Sequence, residues 1–201
     1  PFPNKPIWVQ PFWVNQGVWY RIDNDNLRTE IGLPKDKLLI GSFQRDTEGH
    51  DLVSPKLSKG PDVFCDVVEQ LHEKNKDIEV VLAGWRRQYV IRRLESKNIN
   101  YHYYEWADFE VLNKLYNCLD LYLVSSRCEG GPQAVPECAV TKTPIVSTRV
   151  GLAERILAPE SVFDLGSELG KPNTEFAFNR VQEYLMPQGF DPFVDFFRNI
   201  Q

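Results

Sequence analysis

Short apolar runs alternate along this chain with stripes of apolar residues at helical spacing. The runs at 38–43 (Leu-Leu-Ile-Gly-Ser-Phe), 78–83 (Ile-Glu-Val-Val-Leu-Ala), 119–124 (Leu-Asp-Leu-Tyr-Leu-Val) and 143–147 (Thr-Pro-Ile-Val-Ser) read as buried strands. Residues 99–104 and 161–164 read as two further strands. Between them, Val63, Phe64, Val67, Val68 and Leu71 share one face of a helix that Pro61 and Asp62 open. Val90, Ile91 and Leu94 line a helix over 86–97. Val111, Leu112 and Leu115 line another, which Asp108 is placed to cap. Residues 134–140 and 151–157 read as short helices, and 24–31 has room for one, closed by Gly32 and Pro34. This alternation has the spacing of βα units. It predicts an α/β fold, a doubly wound Rossmann-like parallel sheet with helices on both faces.

The two ends break the rhythm. Pro6 and Pro11 interrupt an aromatic stretch over 6–14, which favours an edge strand or linker up to the turn at Asn15–Gly17. Residues 173–186 and 191–200 read as two C-terminal helices. Their Phe176, Phe178, Phe193, Phe196 and Phe197 need an apolar surface to cover, and some are expected to stay exposed. The polar segment 44–58 is a loop longer than most connections, the length of a functional or mobile one.

Sheets of this class bind ligands at the carboxyl ends of their strands. Gly41, Gly84 and Gly130 lie at such ends, with Arg45, Trp85 and Trp106 beside them, and all are expected to converge on one crevice. The richest stretch is 125–137, Ser-Ser-Arg-Cys-Glu-Gly-Gly-Pro-Gln-Ala-Val-Pro-Glu. A glycine pair after a strand lets backbone approach a ligand, and a helix start offers N–H groups to an anion. Glu129 and Glu137 stand at the two ends of that loop, and carboxylates suit the hydroxyl pairs of sugars.

Those two acids carry a family resemblance. Their spacing, with Glu-Gly-Gly-Pro at the front and Glu-Cys-Ala at the back, resembles the Glu-x7-Glu signature of retaining glycosyltransferases. These are nucleotide-sugar enzymes of the GT-B fold, family 4 type. The resemblance runs from Leu38 to Ile156 and includes Pro-Ile-Val-Ser-Thr-Arg-Val-Gly at 144–151 and Glu154. It implies that residues 1–201 are a single donor-binding domain, with 1–17 a linker and 173–201 the C-terminal helices. The acceptor domain would lie upstream, absent from a chain that opens at Pro1 without Met.

The resemblance also implies roles. Lys59 matches the phosphate-contacting lysine. Glu129 would contact the donor sugar and Glu137 the ribose. Catalytic roles then fall to Glu129, Lys59 and Arg45. Donor binding falls to Gly41, Ser42, Gly130, Gly131, Pro132, Gln133, Ala134, Glu137, Trp85 and Trp106. The tryptophans would stack on the base or sit as half-buried loop aromatics. No cofactor or metal is implied. The partners implied are a UDP- or GDP-hexose, the N-terminal domain of the same enzyme and a glycan or lipid acceptor. Three positions depart from the family. Ser42 and Lys142 stand where it has Arg and Gly, which leaves Arg45 as the nearest second cation. Leu152 replaces the second of two glycines after Val150. The alternatives are a non-catalytic nucleotide- or glycan-binding module and a GT-B-like nucleotide-sugar epimerase. A dinucleotide enzyme is disfavoured, since no G-x-G-x-x-G follows the first strand.

Composition narrows this only a little. The net charge of −5 argues against a general nucleic-acid surface, so any phosphate site must be local. Cys65, Cys118, Cys128 and Cys138 form no C-x-x-C pair and read as reduced thiols of a cytoplasmic protein. No apolar run reaches the ~18–20 residues of a membrane span and no signal peptide opens the chain. Peripheral membrane contact of the full-length enzyme stays open. His50, His72 and His102 read as surface or core residues, and Arg86, Arg87, Arg92 and Arg93 as a solvated helix face.

Overall fold

The computed structural model describes residues 11–199. Within them the apolar runs become β1 (Leu38–Ser42), β2 (Ile78–Ala83), β3 (Tyr101–Tyr104), β4 (Leu121–Val124), β5 (Ile145–Thr148) and β6 (Val162–Phe163). They form one six-stranded sheet in the order β3-β2-β1-β4-β5-β6, parallel throughout. The helices are α1 (Leu27–Glu30), α2 (Pro61–Lys74), α3 (Gln88–Ser96), α4 (Phe109–Cys118), α5 (Ala134–Thr141), α6 (Ala153–Ile156), α7 (Thr174–Val181) and α8 (Asp191–Arg198).

Successive strand residues point to opposite faces, so each strand feeds two cores. Ile40, Val80, Leu82, Leu123 and Val146 face α2 and α3, where Phe64, Val68, Val90 and Leu94 are buried. Leu39, Val81, Ala83, Tyr122, Val124 and Ile145 face the other way, onto Leu115 of α4 and Val135 and Ala139 of α5. The doubly wound parallel sheet is therefore present, with helices on both faces. Asp108 caps α4 as its position predicts, its carboxylate accepting from the Val111 N–H at 2.8 Å.

The ends differ from expectation. The helix expected over 173–186 stops at Val181 and passes into a single tight turn, Gln182–Tyr184. The Val14 N–H donates to the Tyr184 carbonyl at 2.8 Å, and the Met186 N–H donates to the Val14 carbonyl at 3.0 Å. This backbone pairing with the N-terminal segment takes the groups a longer helix would have used. Trp13 packs on Phe190 and Phe193, at ring-centroid distances of 4.1 and 5.7 Å. Phe176 and Phe197 stay exposed. Residues 1–10 of the expected linker and Ile200 of the last helix lie outside the described residues.

The basic stretch before β3 also departs from its reading as a solvated face. Arg87 is wholly buried, and its guanidinium donates to the Asp46 carboxylate (3.0 Å), the Ala83 carbonyl (2.9 Å) and the Ser42 carbonyl and hydroxyl. Arg86 is buried too and donates to the Gly49 carbonyl. Arg93 binds Asp66 and Glu69 of α2. Of the four, Arg92 is the one left exposed. Arg86 and Arg87 pin the long 44–58 loop to the end of β2, so that loop is held by charge as well as by backbone. Sequence spacing carries no sign of this, because the acceptors lie across the sheet.

Candidate functional site

The connections diverge where the strand order reverses, between β1 and β4, and a crevice opens there at the carboxyl ends. Two loops build its walls, 43–60 after β1 and 125–133 after β4. They are stapled together. Gly60 has φ +60° and lies so close to Ser125 that a Cβ would collide with the Ser125 carbonyl. No other residue type meets both demands. The Ser125 hydroxyl donates to the Gly60 carbonyl at 2.8 Å, and the Arg127 N–H donates to the Ser58 carbonyl at 2.9 Å. The Arg127 guanidinium grips Asp62 through two bonds of 2.7 and 2.6 Å.

This staple brings Lys59 to Glu129. The Lys59 ammonium donates to one carboxylate oxygen of Glu129, and the Ser126 hydroxyl donates to the other at 2.8 Å. Both side chains are only partly buried, 24% and 15% exposed, so the pair faces the crevice. A cavity of about 500 Å³ lies against it. Lys59, Glu129, Arg45, the backbone of 131–134 and Glu137 all line this cavity.

Glu137 sits in the first turn of α5, close to the loop. Its carboxylate accepts from the Tyr116 hydroxyl at 2.7 Å. Burial pushes its pKa up to about 7, and the Tyr116 bond only partly opposes the shift. Tyr116 in turn belongs to an aromatic wall. Its ring lies 4.9 Å from Phe43, 5.4 Å from Tyr122 and 5.6 Å from Trp19. Tyr122 accepts the Phe43 N–H at 2.9 Å and so orients the first residue after β1. The cavity thus has a charged end at Lys59 and Glu129 and an aromatic end at Glu137. Such a space can take a ligand with an anionic part beside Lys59 and Arg45 and a polar, ring-bearing part along the aromatic wall.

The residues expected at the site divide into two groups. Glu129, Lys59, Arg45, Gly131, Pro132, Gln133, Ala134 and Glu137 line the cavity, and Gly130 lies open beside it. Arg45 is half-tied, its Nε–H donating to the Thr47 carbonyl at 2.7 Å. Gly41, Ser42, Trp85 and Trp106 do not line it. Gly41 is paired on both sides within the sheet, and the Leu119 side chain fills the space of its missing Cβ. Ser42 is buried under Arg87. Trp85 is exposed and lies under the Arg86 guanidinium, 5.0 Å from the ring centroid. Trp106 is 79% exposed on the rim outside the cavity. Gly84 does not line the cavity either, so the three glycines do not share one crevice. The wall residues Trp19, Phe43, Phe109, Leu112, Tyr116 and Tyr122 were not foreseen. Phe43 and Tyr122 lie in apolar runs and Leu112 in a helical stripe, and those local signals speak for burial alone.

Among the described residues no group of three His, Cys, Asp or Glu is gathered to hold a metal ion. All four cysteines are free, and Cys128 alone is exposed. No described helix is long and apolar enough to cross a membrane.

A family model described as "Glycosyl transferases group 1" matches residues 52–165. The chain belongs to that family. The match covers Lys59, both glutamates and the loop between them. Solved structures agree on the fold. Sucrose-phosphate synthase from Thermosynechococcus elongatus superposes with a TM-score of 0.75 at 15% identity over 94% of this chain and 51% of that one. HepE of Anabaena, solved in complex with UDP, gives 0.72 at 12% identity over 94% and 56%. The C-terminal domain of LpcC from Francisella tularensis, itself a group 1 family protein, gives 0.60 at 17% identity over 94% of this chain and 100% of that domain. The chain spans about half the length of the first two proteins. Comparison with curated protein sequences finds no match.

Proposed function

We propose that this group 1 glycosyltransferase chain is the donor-binding half of a retaining, family 4 type hexosyltransferase. Its donor is a UDP- or GDP-hexose. The observation that carries the reading is the meeting of Lys59 and Glu129 at the switch point of the sheet, in one cavity with Glu137. The diphosphate takes Lys59 away from Glu129, and Arg45 approaches from the same wall. Fixed cations stabilise the negative charge that grows on the leaving diphosphate as the glycosidic bond breaks. No divalent ion is used in this reading. Freed from Lys59 and oriented by Ser126, Glu129 accepts from hydroxyls of the sugar. Glu137 accepts from the ribose diol. The base lies along the aromatic wall. That HepE was solved with UDP and also with UDP-glucose supports a nucleotide sugar as the ligand of this fold.

The acceptor, a glycan or a lipid-linked one, is held by a second domain of the same enzyme, so this chain alone binds donor and turns over poorly. The enzyme works in the cytoplasm or at the membrane surface facing it. Thermal shift with UDP, GDP and ADP tests the reading. A ligand at 100 times its Kd stabilises by about 2.7 kcal/mol. No shift with any of the three at millimolar concentration removes the proposal.

A further inference from the structure

Glu129 has a second side. Away from Lys59 it borders another cavity, of about 530 Å³, framed by Phe12, Gly130, Gly131 and Leu152 and bounded by Arg155. The charges around it are spent except one. Glu129 is held by Lys59 and Ser126. The neighbouring Arg149 pairs with Glu154 and Asp164, and Arg180 pairs with Glu183 at 3.1 Å. The Arg155 guanidinium is exposed and has no partner among the described residues.

Its position is held from below. Gly151 has φ +50°, and a Cβ there would stand 2.6 Å from the Gly130 carbonyl oxygen. The start of α6 is therefore pressed against the glycine turn of the site. A Cβ on Gly131 would lie 3.4 Å from Leu152, so Leu152 fills the space beside that turn. Ala153 and Ile156 anchor α6 in the core. Arg155 rides on this helix and faces the cavity with five unspent N–H donors.

We propose that this cavity takes a negatively charged hexose, with Arg155 as the counter-charge to a carboxylate or phosphate on the sugar. The inference rests on the donor-site reading, which puts the sugar at Glu129. A guanidinium matches either anion with two parallel bonds, whereas a neutral hexose leaves it in water. Gly130 and Gly131 keep the intervening wall free of side chains.

Calorimetric titration tests this in two arms. The first compares UDP-glucuronate with UDP-glucose, for a charge on the donor. The second compares glucose 6-phosphate with glucose at saturating UDP, for a phosphate in place of the carboxylate on the sugar that lies at Glu129. In at least one arm the charged member should bind about tenfold tighter. Arg155→Gln should bring the pair within about twofold, and Arg155→Lys should restore part of the preference. Bare UDP should bind all three proteins equally. Equal affinities within both pairs for the unaltered protein, or a preference that survives Arg155→Gln, overturns the inference. Failure of UDP itself to bind would instead remove the donor-site reading. Glucose 6-phosphate titrated without nucleotide would then still decide the role of Arg155.

Discussion

Two ion pairs tie the loop after β1 to its surroundings, and they are built for opposite purposes. Arg87 and Asp46 are each 1% exposed, and carbonyl groups satisfy the rest of the guanidinium. Asp46 also accepts from the Tyr89 N–H at 3.2 Å. Burial raises the Asp46 pKa against the pull of Arg87. No ligand can enter such a pair, and breaking it strands a charge in the core. Lys59 and Glu129 have the same charges but an open side. The cost of separating them is small because water or a ligand can replace either partner. A buried pair shapes the crevice, and an open pair can be exchanged within it.

Removing one member of each pair should separate the two kinds of contact. Arg87→Met should destabilise the protein by about 3–5 kcal/mol, measured by urea unfolding. Lys59→Ala should cost under about 1 kcal/mol in the same assay. If the two variants lose similar stability, the distinction fails. For UDP or GDP the order should invert. Lys59→Ala should weaken binding by about 1–3 kcal/mol, the scale of a charge-assisted bond.

Glu137 sharpens the picture through pH. In its proposed role Glu137 accepts from the ribose diol as a carboxylate, and the pKa of about 7 leaves much of it protonated in neutral solution. Nucleotide affinity should therefore rise about tenfold between pH 6 and pH 8. Glu137→Gln should remove that rise, leaving only the titration of the nucleotide itself. The groups around Glu137 that carry or can carry charge are Tyr116, Tyr122 and Cys138, and burial raises all three pKa values, so they stay neutral across this range. In the free protein the effect on stability is opposite in sign. A carboxyl whose folded pKa is raised contributes most below its unfolded value and loses that contribution as pH climbs through about 7. A flat binding profile in the unaltered protein would place the ribose elsewhere.

The smallest expected effect is that of Glu129→Ala on bare nucleotide. In the proposed role Glu129 holds the hexose, which UDP lacks, so UDP affinity should stay within about twofold, while transfer by the proposed full-length enzyme should fall by about 1–3 kcal/mol of transition-state stabilisation. Loss of UDP binding in this variant, with retention in Glu137→Ala, would exchange the two roles.

The alternation of apolar runs and helical stripes determined the fold class, because each strand needs two buried faces and each helix one. The glutamate spacing marked the loop, and Lys59-Gly60-Pro61 marked the helix start opposite. These signals are local, and local signals survive in sequence. What the sequence could not decide was which distant groups would meet. Arg87 reads like a surface residue until Asp46 and the carbonyls of β1 and β2 are folded around it. Gly41 reads like a ligand-facing glycine until Leu119 occupies its empty side. The tryptophans lie on loops of the correct rim, yet the direction of each loop leaves them outside the cavity. Lys59 and Glu129 are 70 positions apart, and only the placing of β1 beside β4 closes that distance. Strand order and loop direction are set by non-local packing, and packing joins residues that no spacing rule connects.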